Sequence, residues 1–343
     1  MFLPPLPPTF DAALRDSSSA TDRFRAAAAE RLADCPPGQE ERARTALRRL
    51  VDDRLGPIRE LAIDGLARIG TPDDLELLRA RFDDAHLAVR QAAVRAAATL
   101  DPEPAWLDGL LADARPEMRF QAVRGLSERR PEVAAQRLPA LIDDPEPQVA
   151  RAAILALGDL EAYAAADALA EALTRRKLAR SAALALAALG DARSEPVLIG
   201  GLRDRGFALE AATALGPVAT DRGLAALAAL ADGFFTPLLV RAAAGKALAQ
   251  RGDERGEAAL EAVLRAWRAD GRDYAVSAAG ELRLARLVPT LARLTRRLRG
   301  TDPRVLADAL RRLATVDAHA RSALEELRRR FGDLEPPPRG AAA

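Results

Sequence analysis

The chain has 343 residues, a formal net charge of +1, and a composition that is 49% hydrophobic but only 4% aromatic. Near-neutrality excludes a global electrostatic pull on nucleic acid, and the lone Cys35 excludes an internal disulfide. No charge-free apolar run reaches the roughly 18 residues a bilayer span needs, so no membrane partner and a cytoplasmic location are expected.

Taken in order, Met1-Phe2-Leu3-Pro4-Pro5-Leu6-Pro7-Pro8 has neither the charged start nor the long apolar stretch of a secretory signal. Residues 1–21 read as a proline-rich segment followed by a short helix near Phe10–Arg15. A helix is predicted from Asp22 to Ala33, broken by Cys35-Pro36-Pro37-Gly38, with a charged amphipathic helix following to about Arg54. From Gly56-Pro57 onward one sentence recurs: an acidic or proline-bearing turn, a small-residue helix, and often a glycine. Its fullest copy is Asp143-Asp144-Pro145-Glu146-Pro147-Gln148-Val149-Ala150-Arg151 through Leu157-Gly158.

The first apolar residue of each copy serves as an anchor: Phe24, Ile58, Val89, Met118, Val149, Leu178, Phe207, Val240, Tyr274 and Val305. Successive anchors are separated by 34, 31, 29, 31, 29, 29, 33, 34 and 31 residues. A period near thirty holds one helical pair, and no strand alternation or hairpin turn competes with it. The predicted fold is all-α, an α-α superhelix of about ten helical hairpins over residues 22–331, with 332–343 a disordered tail. First helices are expected at Pro72–Arg81, Pro104–Ala112, Ala162–Thr174, Asp221–Leu230 and Gly256–Arg268, and a long basic helix at Arg283–Arg299. Gly70, Gly158, Gly190, Gly216 and Gly252 stand where second helices should end. Asp73, Asp159, Asp191 and Asp253 stand where the next ones should start. Trp106 and Trp267 fall on first helices, where each is expected to fill a gap between layers.

These units resemble HEAT repeats, specifically the short bacterial kind also found in phycobilisome lyases. The pattern (V/I/M)-R-x-x-A-x-x-A-L-G appears in Val89-Arg90, Ala93 and Ala96. It recurs in Val149, Ala153, Ala156-Leu157-Gly158, and in Val240-Arg241, Ala244, Ala247-Leu248. The resemblance implies a solenoid and a ladder between the turn aspartates and the early arginines of neighbouring repeats. Asp84, Asp144, Arg59, Arg90, Arg119 and Arg241 fit that ladder. Arg151 and Arg180 miss it by one position, and Ala208, Ala275 and Leu306 replace the arginine, so an interrupted ladder is expected.

With each anchor numbered 1 and 100° per residue, positions 1, 5, 8, 9 and 12 form the core face, while 3, 7 and 10 point away from it. In solenoids of this kind the second helices line the concave surface, so positions 3 and 7 should face a groove. Its N-terminal part is acidic, with Glu60 and Asp64. Its middle joins Arg95, Arg124, Arg151 and Arg180 to Phe120, Leu155, Leu184 and Leu209, with Lys246 beyond. An apolar row rimmed by arginine has the composition of a protein-binding surface. Tight curvature would instead make these leucines ordinary packing. Between Glu281 and Arg330 thirteen arginines face six acids, and Arg286, Arg293 and Arg297 (i, i+7, i+11) share a helical face that offers a route to nucleic acid.

Chemistry finds little footing. His86 and His319 lie far apart without the His-Glu pairing of helical-repeat iron hydroxylases, no G-x-x-x-x-G-K-[ST] loop or G-x-S-x-G elbow occurs, and the Asp pairs recur with the repeat as turn residues. The expectation is a non-catalytic scaffold without a cofactor, binding a partner protein with an acidic and apolar surface. A chromophore-lyase-like chaperone and a nucleic-acid-associated repeat protein are the alternatives.

Overall fold

A computed structural model describes residues 9–100, 105–129, 131–298, 300–332 and Leu334. The proline-rich residues 1–8 and the tail from 335 lie outside the described residues. The chain divides into two compact units, Met1–Leu160 and Glu161–Ala343.

The first unit contains α1 (Phe10–Asp16), α2 (Asp22–Leu32), α3 (Glu40–Leu50), α4 (Gly56–Ile69), α5 (Leu75–Arg79), α6 (Leu87–Leu100), α7 (Ala105–Leu111), α8 (Pro116–Arg129), α9 (Pro131–Arg137) and α10 (Pro147–Asp159). The second contains α11 (Ala166–Ala172), α12 (Ala179–Ala188), α13 (Glu195–Gly201), α14 (Ala208–Val218), α15 (Asp221–Asp232), α16 (Leu238–Gln250), α17 (Glu254–Arg265), α18 (Arg272–Glu281), α19 (Val288–Arg296), α20 (Pro303–Leu313) and α21 (Ala318–Phe331). Among the described residues no strand occurs. The even-numbered helices are the anchored ones; within each unit each packs on the next, and the odd-numbered helices form the other layer.

Alanine explains how the layers close. On α6, Ala92, Ala93, Ala96 and Ala97 are all fully buried, and methyl side chains let neighbouring helices approach at the short end of helix-packing distances. The same economy seals position 10, expected to face away: Ala98, Gly158 and Ala187 are buried. Along α10 positions 3 and 7, Arg151 and Leu155, stay exposed, while on α12 Arg180 is exposed and Leu184 half-buried.

Polar clamps set the register. Arg59 forks onto Asp84 (2.8 and 2.6 Å) and Arg119 onto Asp144 (2.7 and 2.8 Å). Arg25, which the ladder pattern did not include, does the same to Asp53 (2.5 and 3.2 Å). Each arginine also donates to a carbonyl six residues back, as Arg119 does to Asp113 at 2.8 Å. Each aspartate also caps its own turn, as Asp144 accepts the Glu146 amide at 2.8 Å. The Arg119 and Asp144 side chains are only 10% and 3% exposed, so this is a buried pair satisfied on both sides.

The ladder departs from expectation in several places. At Asp113 the neighbouring Arg115 takes the carboxylate (2.9 Å), so Arg90 turns to Glu117 at 3.2 Å. Arg241 meets the Gly233 carbonyl (2.5 Å) in place of a turn aspartate. Arg180, placed in the groove by its offset, pairs with the turn aspartate Asp204. In the ninth repeat the carbonyl six back, Ala266, is held by the fully buried Arg272. The true anchor there is Gly271, three residues before Tyr274. Phe24 is 41% exposed, with the Arg23 guanidinium 4.8 Å from its ring centroid.

The caps also differ in part. Gly190 and Gly252 have φ of 73° and 74° and end α12 and α16 with 6→1 bonds, Asp191 N to Leu186 O and Asp253 N to Leu248 O. Gly158 and Gly216 lie inside helices, and Gly70 is extended. Asp191 and Asp253 cap as expected, while Asp159 ends α10 and Asp74, not Asp73, closes the Thr71 capping box. The long basic helix is cut at Arg283 (φ 51°), giving a 3-10 turn Ala285–Leu287 and then α19. Leu334, in the expected tail, packs on the core of the second unit, and its carbonyl accepts Arg311 at 3.1 Å.

Burial alone would raise the Asp53, Asp84 and Asp144 carboxyls, but the guanidiniums and turn amides they accept hold all three below the ordinary 3.8. A lowered folded pKa gives stability that is complete above the unfolded value and is lost as pH falls through the folded one. Asp144→Asn should therefore cost roughly 3 kcal/mol at pH 7, and its gap from wild type should close below about pH 3.8. Urea denaturation followed by circular dichroism at pH 7 and pH 3 measures both.

Candidate functional site

The clamp between Arg119 and Asp144 fixes what comes next. With Arg119 drawn into the flank, the following residue on α8, Phe120, points out between α8 and α10. One turn further along the same face is Arg124. On α10 the matching positions hold Arg151 and Leu155. These four line one open groove of about 610 Å³, floored by Phe120, Val123, Ala152, Leu155 and Ala156, with Gln148, Glu128 and Asp159 at its margin. Leu155 is 40% exposed and Phe120 half-buried.

The two arginines differ. Arg124 pairs with Glu128 at 3.0 Å, one turn along the same helix, and both side chains are half in solvent. Such a pair is worth little and opens readily. Arg151 donates through Nε to the Pro147 carbonyl at 3.1 Å and makes no ion pair among the described residues. Its terminal nitrogens are thus directed donors beside an apolar floor, suited to a carboxylate accepted in fork geometry.

The remaining predicted residues do not join this groove. Arg95 on α6 pairs with Asp64 of α4 at 3.2 Å. In the second unit Arg180 is tied to Asp204 and lies 5.1 Å from the Phe207 ring centroid. Leu184 and Leu209 pack half-buried against that unit's core, so there the leucines are packing. Lys246 pairs with Glu281 at 2.5 Å and sits 5.5 Å from the Tyr274 ring.

The basic face of the last repeats is dispersed too. Arg286, in the 3-10 turn, reaches Glu254 at 3.4 Å, while Arg293 and Arg297 line a separate depression of about 360 Å³ with Arg265 and Arg296. Because α19 ends at Arg296, Arg297 leaves the helical face the spacing assumed. Trp106 fills an interlayer gap as expected, 5.4 Å from Phe82. Trp267 does not, since α17 ends two residues before it and leaves it 87% exposed.

A family model described as HEAT repeats matches residues 7–98 and 103–184, just over half of the chain. The chain belongs to the HEAT-repeat family. It is similar to the crystal structure of YibA from Escherichia coli at 16% identity, covering 86% of this chain and 98% of that one, with a TM-score of 0.47. It is also similar to the complex of CpcE and CpcF of phycocyanin lyase from Nostoc sp. PCC7120, at 22% identity over 65% of this chain and 93% of that one, with a TM-score of 0.38. Likenesses this distant carry no inference about a ligand. No curated protein matches the chain.

The groove makes a claim about stability that is separate from binding. Leu155→Asp should leave the unfolding free energy within about 0.5 kcal/mol of wild type, as at other surface positions. Leu157→Ala, two residues away and fully buried, should cost about 2–5 kcal/mol. Chemical denaturation of the two variants compares them directly.

Proposed function

We propose that this protein is a non-catalytic scaffold that captures a partner protein in the groove between α8 and α10. The observation that supports this most is the pairing of an apolar floor, Phe120 and Leu155, with Arg151, whose guanidinium makes no ion pair among the described residues. An apolar centre with arginine at its edge is the usual make-up of an interface hot spot. The complementary surface is apolar with carboxylates spaced to meet Arg124 and Arg151. An amphipathic helix with an acidic margin meets that description.

The groove has no cysteine, histidine or tyrosine in its lining, so nothing there favours the chromophore-holding alternative. Arg95, Arg180, Leu184, Leu209 and Lys246 contribute by holding their repeats together.

Reversing both charges, Arg124→Glu with Arg151→Glu, should weaken partner capture from extracts of the native cell at least tenfold, about 1.4 kcal/mol, with helicity and melting unchanged. Arg176→Glu, exposed in the second unit, should capture as wild type does. Undiminished capture by the double variant would place the binding surface elsewhere.

A further inference from the structure

The largest departure from the sequence reading lies in two turns of the second unit. Between α15 and α16 the chain presents Phe234 and Phe235, and between α17 and α18 it presents Trp267. These side chains are 87%, 93% and 87% exposed. They share one depression of about 670 Å³ with Pro237, Leu238 and Leu239, so the two turns form a single apolar patch. Scattered exposed apolar residues are normal, but three adjoining rings mark a surface that something covers.

The turns that carry the rings are firmly held. Arg241 donates to the Gly233 carbonyl at 2.5 Å, and the buried Arg272 donates to the carbonyls of Ala266 and Arg268 at 2.5 and 2.7 Å. Gly271, at φ 75°, lets the second turn press on the backbone of α16, where a Cβ would come within 2.6 Å of Leu239. The rings therefore project from turns whose backbone is hydrogen-bonded to Arg241 and Arg272.

A basic depression is joined to this patch through the chain, at the step from Arg265 to Ala266. Arg265, at the end of α17, lines the neighbouring depression with Arg293, Arg296 and Arg297. Three carboxylates beside this edge are engaged, Glu261 with Arg265 (2.7 Å), Asp270 with Arg268 (3.1 Å) and Glu326 with Arg296 (3.4 Å), while Asp232 is exposed at the start of the first turn. Arg293 and Arg297 make no ion pair among the described residues, which leaves the depression attractive to anions.

We propose that this edge of the second unit rests on an anionic lipid bilayer, with Phe234, Phe235 and Trp267 entering the boundary between headgroups and acyl chains and Arg293 and Arg297 facing the headgroups. Protruding rings are best covered by a medium that conforms to them, and tryptophan is enriched at that depth of a membrane. Headgroup charge complements the unpaired guanidiniums. A single-stranded nucleic acid fits less well. The Phe234 and Phe235 rings stand at 89° to one another and offer no parallel faces for successive bases. The sequence argues against a membrane partner only by lacking a span. No helix among the described residues is long and apolar enough to cross a membrane, so the contact proposed is with the surface.

The chain has only two tryptophans, so the difference between wild-type and Trp267→Phe emission isolates Trp267. With the full-length protein and phosphatidylcholine vesicles containing phosphatidylglycerol, that emission should move to shorter wavelength and the protein should sediment with the vesicles. Sedimentation should fall at least tenfold in Phe234→Ala with Phe235→Ala, and also in Arg293→Glu with Arg297→Glu. Phosphatidylcholine alone should bind weakly. The groove variant carrying Arg124→Glu and Arg151→Glu should bind vesicles as wild type does, which separates this inference from the scaffold reading. No sedimentation, sedimentation indifferent to the two phenylalanines, or an oligodeoxythymidine that quenches Trp267 while vesicles leave it unchanged would each overturn the proposal.

Discussion

A turn aspartate buried between two repeats is the contact on which the first unit depends. Asp53, Asp84 and Asp144 each accept a guanidinium from the preceding anchored helix and an amide from their own turn. One carboxylate thus closes the turn before a helix and docks the neighbouring repeat. Alanine-lined helices have smooth surfaces that would slide against one another, since few large side chains interlock; directional bonds supply the register that packing alone leaves loose. Removing either partner strands a buried charge, which is why such pairs cost more to break than they contribute when intact.

This division of labour frees other positions for function. The core positions are filled with alanine and leucine, so along the middle of α10 Arg151 and Leu155 are the exposed residues, with Gln148 and Asp159 exposed at its ends. Phe120 follows Arg119 directly, so the clamp that orders the repeat also aims the ring into the groove. In the second unit the outward positions are spent differently: Arg180 reaches a turn carboxylate, Lys246 a glutamate on the next anchored helix, and the leucines pack. The surface chemistry there moves to the turns, where Phe234, Phe235 and Trp267 stand out.

The hairpin period, the all-α class and the outward direction of Phe120, Arg124, Arg151 and Leu155 are legible in the sequence because each follows from helical geometry applied to a repeating pattern. What stays hidden depends on where helices stop. The pattern puts Trp267 on a helix that ends at Arg265, and it draws the arginine face of the last repeats on a helix that spans only Val288–Arg296. Arg272 is obscured because Tyr274 draws the anchor three residues too far. The carbonyl six residues back is the better marker of that position, and it is visible only once the turn is folded. Arg25 is detectable, since it stands one residue after the Phe24 anchor, as Arg59 does after Ile58.

The central claim is that the exposed face shared by α8 and α10 is where this molecule meets another protein. Site-specific photo-crosslinking tests it even while the partner is unidentified. A benzophenone amino acid is placed at Leu155, at Gln148 on the same groove, and at Ala88, an exposed position of the same unit outside it. In the native cell, positions 155 and 148 should capture one common protein that position 88 does not. Capture of the same protein from all three positions, or from position 88 alone, would contradict the account.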